Sequence, residues 1–378
     1  MGIRDKNKVV LCFSEVITSN IYESMLQKCT DMDLDVVCVF FGHESAILQS
    51  YAIKLKSKTL MLSVTNAWHI GLSSLKYVRL LIREKPRVVI TFGQKATLLG
   101  LLGALLSTQS VRVYFRQHTS SNKMGKFSKG NFYDNLSNFL AKKILVSNIN
   151  TYSYLVSNEG VSPSKISLCE FGFDVASFVD RDLGKISLIK SKYELNNCNF
   201  IVGIVSRVTK IKGLEFSFQA FKKFVELYPD SVLILANAMD AKESDLARLV
   251  EGIPRENIRI LEREFDMVSI YASMDTLVHV PINSSVESYG LVYVEAFLSK
   301  LPTIITISGI ANQIGKSGVN CLVVDYQDAN EIFQALIRLR ENDSLRLELG
   351  QNAFDSVSSM TMDKMNHQFE KFLQNVLS

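Results

Sequence analysis

Short apolar segments rich in β-branched residues alternate with longer amphipathic segments along most of the chain, and this alternation restricts the fold more than any other feature. Such alternation indicates a parallel sheet covered by helices on both faces. In the first half, helices such as Ser73–Arg83 and Ala96–Leu106 are predicted between strands. The predicted strands are Val9–Phe13, Val36–Phe41, Val88–Phe92, Val111–Phe115 and Ile144–Ser147.

A second series of the same kind begins at residue 200. Its predicted strands are Phe200–Val205, Val232–Leu235, Ile258–Leu261, Thr276–Val280 and Thr303–Thr306, and its predicted helices are Leu214–Tyr228, Ala329–Arg340 and Met362–Leu377. The polar stretch Phe173–Asn199, between the two series, is predicted to be a linker or hinge. A chain of 378 residues is long enough for two domains. We therefore expect two doubly wound Rossmann-like domains that face each other across a cleft, with ligands at the carboxyl ends of the strands.

Cysteine usage and hydropathy indicate the cellular compartment in which the protein is expected to work. The six cysteines are scattered without a CxxC pair or metal-ligand spacing, so neither a disulfide framework nor a zinc module is expected. The N-terminus has no secretory h-region, and the longest apolar stretch, Thr97–Leu106, is about half of a membrane span. We expect a cytoplasmic protein that is peripheral at the inner face of the cytoplasmic membrane.

Charge is distributed unevenly. Residues 1–190 carry a net charge of +10 and residues 191–378 a net charge of −6. Between Arg112 and Lys143 there are seven basic residues and a single acid, Asp134. This pattern is typical of a solvated basic face, or of a surface that meets a lipid headgroup, a phosphate or a nucleic acid. Nucleic acid is the weakest of these alternatives, because no reader motif accompanies the charge.

Two carboxylates lie on either side of a predicted helix start. A Ser-rich loop follows strand Thr276–Val280 and contains Glu287, a helix begins near Gly290, and Glu295 lies on that helix. Loop and helix start present free N–H groups and the positive end of the helix dipole, which suits a phosphate. Spacing alone favours two unrelated glutamates on a helix. Glu295, however, lies in an apolar helix, where a carboxylate is rarely buried without a partner.

A second cluster of polar residues follows strand Phe200–Val205. Arg207, Lys210 and Lys212 lie on the loop between this strand and the next helix. An Arg fork and a Lys point charge at the carboxyl edge of a sheet suit a diphosphate. A solvated basic loop is the alternative.

Together the two stretches resemble the family-4 retaining glycosyltransferases of the GT-B fold. Glu287 and Glu295 match the Glu-x7-Glu motif of that family, and Arg207 with Lys212-Gly213 match its basic strand end. The similarity continues through Tyr271-Ala-Ser-Met-Asp275, Lys300-Leu-Pro302 and Gly318-Val-Asn320 and covers residues 200–326 most closely. There are departures: paired glycines are absent from the Phe13–Asn20 loop, Ala236-Asn-Ala-Met239 replaces Gly-x-Gly, and Tyr289 replaces Phe.

The resemblance implies a role for each matched residue. Arg207 and Lys212 would bind the donor diphosphate, together with the loop residue Ser288 and the N–H groups of Tyr289, Gly290 and Leu291. Glu287 would bond the donor sugar and Glu295 the ribose. His118, which follows strand Val111–Phe115, would approach the donor sugar from the first domain; a lone loop histidine is otherwise structural as often as not.

The resemblance also implies an N-terminal acceptor-binding domain at 1–180 and a nucleotide-sugar-binding domain at 181–360. A C-terminal helix at 361–378 would pack back on the N-terminal domain. The implied activity is transfer of a sugar, with retention, from a nucleotide-sugar donor, UDP-sugar favoured, to a glycan or lipid-linked acceptor in surface polysaccharide synthesis. The nucleotide-sugar is a substrate, and no metal or cofactor is expected. The alternatives are a GT-B phosphorylase or hydrolysing relative, and a non-catalytic GT-B scaffold subunit.

Overall fold

The computed structural model describes residues 7–14, 20–42, 46–107, 110–119, 129–238, 241–261, 264 and 266–378. The chain divides into two compact units: Met1–Phe173 with Met360–Ser378, and Asp174–Ser359. Residues 15–19, where the paired glycines of the family are missing, lie outside the described residues, as do Met239 and residues 120–128 of the basic segment.

The first unit is built on a parallel sheet. Among the described residues it has seven strands, in the order β3-β2-β1-β4-β5-β6-β7. The central strands are buried on both faces, and Val9 of β1 pairs with Val36 on one side and Val88 on the other. The strands are β1 Lys8–Phe13, β2 Asp35–Phe41, β3 Lys58–Leu62, β4 Val88–Phe92, β5 Val111–Arg116, β6 Lys143–Val146 and β7 Ile166–Leu168.

Helices connect these strands and return the chain to the amino edge of the sheet. α3 starts at an Asn66 cap, whose side chain accepts the His69 N–H, and ends at Lys85 just before Pro86. The helices are α1 Asn20–Asp31, α2 Ala46–Lys54, α3 Ala67–Glu84, α4 Gln94–Ser107, α5 Lys129–Leu140 and α6 Ile149–Glu159, with a 3₁₀ turn at Pro163–Lys165.

The second unit repeats the architecture with a six-stranded parallel sheet over its described residues, in the order β10-β9-β8-β11-β12-β13. The strands are β8 Phe200–Val205, β9 Ser231–Ala236, β10 Ile258–Leu261, β11 Thr276–His279, β12 Thr303–Ile305 and β13 Leu322–Val323. The helices are α7 Val175–Val179, α8 Leu183–Lys192, α9 Leu214–Leu227, α10 Glu243–Val250, α11 Met267–Ala272, α12 Leu291–Leu298, α13 Ala311–Ile314, α14 Ala329–Glu341 and α15 Asp343–Val357, with 3₁₀ turns at Lys210–Lys212 and Arg255–Asn257.

The stretch predicted as a linker, Phe173–Asn199, is largely helical, so that prediction is wrong. It contains α7 and α8. Asp174 and Asp182 cap these helices, and their carboxylates accept the N–H groups of Ser177 and Lys185. Polar residues that resemble a linker in composition therefore act as helix caps.

The last helix, α16 Met362–Leu377, lies in the first unit. It buries Phe369 and Leu373 and packs against α1. Lys28 of α1 forms an ion pair with Glu370 at 2.9 Å. The chain thus returns to the unit in which it began.

Gly213 lets two loops of the second unit approach each other. It lies between the turn Lys210–Lys212 and α9 with a φ of 68°. A Cβ at this position would overlap the carbonyl oxygen of Val280, the residue that follows β11. The carbonyl of Ile211 also accepts the Ile282 N–H at 3.2 Å. The loop after β8 is therefore held against the end of β11.

We predict that Gly213→Ala lowers the free energy of unfolding by about 3 kcal/mol, because left-handed strain and a backbone overlap add together. Gly160→Ala is the matched control: Gly160 has a φ of 64°, and no described atom lies within 4 Å of the position that a Cβ would take. Gly160→Ala should introduce only the left-handed strain and should therefore lower the free energy of unfolding by about 1 kcal/mol. Urea unfolding of both variants measures the difference, and equal losses would contradict the close approach.

Candidate functional site

The carboxyl ends of two neighbouring strands hold the predicted donor residues. β8 and β11 pair directly in the sheet of the second unit. The loop after β8 contains Arg207 and Lys212, and the loop after β11 contains Glu287. The structure therefore brings together residues that are about 75 positions apart in the sequence.

Glu287 is the centre of this arrangement. Its Oε1 forms an ion pair with Lys212 Nζ and lies 3.0 Å from His279 Nε2. The Glu287 N–H donates to Ser308 Oγ at 3.0 Å, which fixes the backbone beneath the carboxylate. The side chain is 10% exposed, so one side still reaches solvent. Lys212 and His279 both contact Oε1, which leaves Oε2 directed away from these two partners.

The environment of Glu287 holds it ionised. Burial by itself would raise the pKa of this carboxyl group. The hydrogen bond with His279 and the charges of His279 and Lys212 outweigh burial and lower the pKa to about 2. Glu287 is therefore a carboxylate at any physiological pH.

His279 was not identified from the sequence. It is the last residue of β11, is buried, and packs edge-on against the Tyr293 ring at 4.7 Å between centroids. Tyr293 in turn donates its hydroxyl to the Thr306 carbonyl at 3.2 Å. A histidine at the end of an apolar strand was the available signal, because a buried imidazole needs a polar partner.

The start of α12 lies next to Glu287 in the chain. Gly290 caps the helix with a φ of 84°, and Leu291 is its first residue. The Tyr289 carbonyl accepts the Ile310 N–H at 2.7 Å, which anchors the turn. Since the first N–H groups of a helix have no partner within the helix, this start offers donors and the positive end of the dipole.

Glu295 lies on the second turn of α12 and has the partner that its apolar surroundings require. The Tyr271 hydroxyl donates to Glu295 Oε2 at 2.8 Å. Burial raises the pKa of Glu295 above its ordinary value, and the Tyr271 bond offsets part of this effect. Tyr271 is fully buried in α11, and the sequence motif that contains it gave it no role. Glu295 as a whole residue is half-buried.

The three cations of the loop after β8 differ in their surroundings. Lys212 is 19% exposed and paired with Glu287. Arg207 is exposed, and within the described part of the chain no carboxylate lies at ion-pair distance from it. Lys210 instead lines a separate pocket of about 150 Å³ beside Glu215 and Asp245. Arg207 thus has a guanidinium available for a ligand, whereas Lys210 lines a different pocket.

His118 belongs to a polar cluster in the first unit. Its Nε2 lies 3.1 Å from both carboxylate oxygens of Asp134, and its carbonyl accepts Arg116 Nε at 2.7 Å. Arg116 is fully buried and pairs with Asp134 at 3.2 Å and Glu159 at 2.9 Å. The imidazole is 41% exposed, so it is oriented from below and open on one side.

The described residues form neither a metal-binding cluster nor a membrane span. Among them, no group of three or more His, Cys, Asp or Glu could hold a metal ion. No helix formed by them is long and apolar enough to cross a bilayer.

Known proteins resemble this chain in sequence over part of its length and in fold over nearly all of it. Residues 185–356 match the family model for glycosyl transferases group 1. HepE from Anabaena, solved in complex with UDP-glucose, superposes with a TM-score of 0.81 at 17% identity, over 97% of this chain and 99% of that one. The superposition and the two parallel-sheet units confirm the predicted α/β fold of the GT-B type, and residues 185–356 are similar in sequence to the glycosyl transferases group 1.

Two glycosyltransferases are similar to this chain in sequence. The capsular polysaccharide biosynthesis glycosyltransferase CapM from Staphylococcus aureus is 24% identical over 315 residues, which is 80% of this chain and 81% of CapM. A D-inositol 3-phosphate glycosyltransferase from Corynebacterium urealyticum is 33% identical over 166 residues, 40% of this chain and 38% of that protein.

We predict that the stabilising effect of Glu287 is lost in acid. Because its folded pKa lies below the unfolded value of about 4.5, it contributes about 3 kcal/mol above pH 4.5, and this contribution falls as the pH falls towards 2. The difference in unfolding free energy between wild type and Glu287→Gln should be about 1.4 kcal/mol smaller at pH 3.5 than at pH 7.

Urea unfolding at both pH values provides the measurement. Glu243→Gln, at an exposed position of α10, is the control and should differ from wild type by less than about 0.5 kcal/mol at either pH. A Glu287→Gln difference that is independent of pH would show that Lys212 and His279 do not lower the pKa of the carboxyl group.

Proposed function

We propose that this protein is a retaining glycosyltransferase that moves a sugar from a nucleotide-sugar, UDP-sugar favoured, to a glycan or lipid-linked acceptor in surface polysaccharide synthesis. The convergence of Arg207, Lys212 and Glu287 at the adjoining ends of β8 and β11 is the observation that carries the proposal. The capsular role in the name of CapM and the UDP-glucose bound to HepE support the acceptor and donor classes.

The donor diphosphate is assigned to three groups of the second unit. Arg207 supplies an exposed guanidinium whose fork matches phosphate oxygens. Lys212 has three N–H donors, one of which is engaged by Glu287, so two are free for a diphosphate. The start of α12 supplies Ser288, Tyr289, Gly290 and Leu291 with the positive end of the helix dipole.

The two glutamates divide the rest of the donor between them. Glu287, on the loop before α12, bonds the sugar hydroxyls through Oε2 while Oε1 stays with Lys212 and His279. Glu295, on the second turn of α12, bonds the ribose while Tyr271 holds its other oxygen. Each carboxylate thus has one oxygen fixed by the protein and one for the ligand.

Retention is assigned to attack on the face that the diphosphate leaves. The acceptor oxygen bonds to the anomeric carbon as the bond to the diphosphate oxygen breaks, and the departing oxygen takes the acceptor's proton. Glu287 is a poor nucleophile, because Lys212 and His279 hold it and its pKa is about 2. It stabilises the developing positive charge of the sugar instead. We place His118 beside the donor sugar, oriented by Asp134.

Cations and the helix start balance the phosphate charge in this proposal, so it requires neither metal nor cofactor. The basic residues 1–190 receive the acceptor, and the enzyme works as a peripheral protein at the inner face of the cytoplasmic membrane. Nucleic acid is not among its partners.

The first test identifies the donor and then follows the reaction. In a thermal-shift screen of nucleoside diphosphates, UDP should raise the melting temperature most. Transfer from α-configured UDP-sugars to glycolipids extracted from membranes should proceed in excess EDTA and give an α-linked product by NMR.

Arg207→Ala should weaken UDP binding 10- to 100-fold by calorimetry, since a charge-assisted bond is lost. Lys210→Ala, the matched control on the same loop, should bind normally.

Several results would contradict the proposal, each in a different part. A β-linked product contradicts retention, and activity that returns from EDTA only with Mg²⁺ or Mn²⁺ contradicts metal independence. Release of free sugar in the absence of acceptor would indicate a hydrolase. Phosphate-dependent release of a sugar phosphate would indicate a phosphorylase. UDP binding without any turnover would indicate a non-catalytic scaffold subunit.

The second test separates the two glutamates. Glu287→Gln should lower kcat about 10²- to 10³-fold at near-normal UDP affinity, because the lost charge acts on the transition state. Glu295→Gln should weaken the binding of UDP itself, because the ribose is bound both before and after the reaction. Tyr271→Phe removes only the hydroxyl that holds Glu295 and should give a smaller loss of UDP affinity.

Calorimetry with UDP, steady-state kinetics and melting temperatures are compared for the three variants. Equal affinity losses in Glu287→Gln and Glu295→Gln would show that the division is wrong. A lower melting temperature for Glu295→Gln with unchanged UDP affinity would show that Glu295 serves only to satisfy Tyr271.

A further inference from the structure

Residues 46–107 of the first unit combine a strong positive charge with exposed apolar side chains. They contain nine Lys or Arg and a single acid, Glu84. Glu84 is buried, and Lys8, Lys58 and Arg83 surround its carboxylate. The hydrogen bonds from Lys8 and Lys58, together with the charges of these lysines, lower the pKa of Glu84 to about 2. The surface of this segment is therefore basic and lacks an acidic side chain of its own.

One outward face of α3 forms a line of four apolar residues and one arginine, which we call the α3 stripe. It consists of Trp68, Leu72, Leu75, Arg79 and Ile82, spaced by four, three, four and three residues. This spacing places them on one side of a helix over about 21 Å. Trp68 is 72%, Leu75 58% and Ile82 53% exposed.

The α3 stripe is additional to the face that α3 needs for folding. Ser73, Tyr77, Leu80 and Leu81 of the same helix are already buried against the sheet and α4. A surface helix ordinarily has one apolar face, with polar residues opposite. A second apolar face in contact with water indicates a binding surface.

The stripe continues into a groove, the α3–α4 groove, at the amino edge of the sheet. The groove has a volume of about 930 Å³. Ile82 joins it to the stripe, Leu105 and Leu106 form its apolar wall, and Lys85 and Arg87 lie on its rim. Leu106 is 78% exposed at the end of α4.

We propose that the α3 stripe and the α3–α4 groove bind the surface of an anionic membrane. A helix with Trp and Leu beside Lys and Arg lies in the interface of a bilayer, with its rings at the headgroups and its leucines at the acyl boundary. Each basic residue near an anionic surface strengthens binding about fivefold. A second copy of the chain fits this face less well, because two such surfaces would carry the same charge.

This inference rests on the membrane-linked acceptor of the proposed function and names the surface that would meet the membrane. α3 runs against the direction of the strands, from the carboxyl edge of the sheet, near Trp68, to the amino edge, near Ile82. β5 delivers His118 to that same carboxyl edge. A membrane along α3 would therefore lie beside the edge that we assign to the acceptor.

The chain's single tryptophan, Trp68, reports on this surface directly. With vesicles of phosphatidylcholine and phosphatidylglycerol, its fluorescence should shift to the blue and the protein should sediment with them. Binding should weaken as salt rises from 0.05 to about 0.5 M, because surface charge is screened. Vesicles of phosphatidylcholine alone should bind at least tenfold more weakly. No nucleotide is present, so the assay is independent of transferase activity.

Three variants locate the contact. Leu72→Gln/Leu75→Gln should weaken binding about tenfold, and Lys76→Gln/Arg79→Gln about 30-fold with a smaller salt dependence. Leu183→Gln/Leu347→Gln is the matched control in the second unit, where the two leucines are 78% and 76% exposed, and it should bind like wild type. Melting temperatures verify that all three fold.

Absence of a blue shift and of sedimentation with anionic vesicles at low salt would overturn the proposal, even if sugar transfer is normal. If Leu72→Gln/Leu75→Gln and Lys76→Gln/Arg79→Gln both bind vesicles like wild type, the assignment to α3 is overturned. A concentration-dependent dimer in light scattering, lost in Leu72→Gln/Leu75→Gln, would show that a second copy covers the face instead. Loss of transferase activity with intact vesicle binding would count against the proposed function alone.

Discussion

The ion pair between Lys212 and Glu287, completed by His279, is the contact on which the second unit's site depends. A carboxylate as enclosed as Glu287 is unfavourable unless cations and hydrogen bonds compensate for its lost hydration. Lys212 can reach it because Gly213 allows the loop after β8 to touch the backbone at Val280. The same contact orients the free oxygen of the carboxylate and limits the positions of the lysine. The need to compensate the buried charge of Glu287 thus determines how the loops after β8 and β11 lie against each other.

Much of the fold could be predicted because strands buried on both faces appear as continuous apolar runs. Val88–Phe92 and Phe200–Val205 have the bounds that the sequence predicts. Strand β3 was not predicted, because it is an edge strand whose Lys58 and Met61 are exposed and interrupt the apolar pattern. The helices α7 and α8 were also missed, since their capping aspartates have the composition of a linker.

The sequence offers candidate site residues one by one, but not the contacts among them. Sequence spacing gives no distance between Lys212 and Glu287, which meet only because β8 and β11 are neighbours in the sheet. His279 and Tyr271 lie in segments that the sequence shows as core. The imidazole at the end of an apolar strand was a signal for His279, whereas nothing distinguished Tyr271 from a packing residue. Glu295 did provide a signal: a carboxylate in an apolar helix requires a donor, and only the fold shows that Tyr271 supplies it.

The topology of the first unit links the proposed membrane surface to the proposed chemistry. In a parallel sheet every strand delivers its following loop to the same edge, so His118 after β5 and the start of α3 after β3 lie at one edge by construction. The helix that returns the chain must then span the full width to the opposite edge. An apolar stripe on such a helix can therefore contact a flat surface along its whole length while the carboxyl edge stays open. A stripe on a short loop could hold the protein but would not fix the direction of that edge, whereas an 18-residue helix packed on the sheet does.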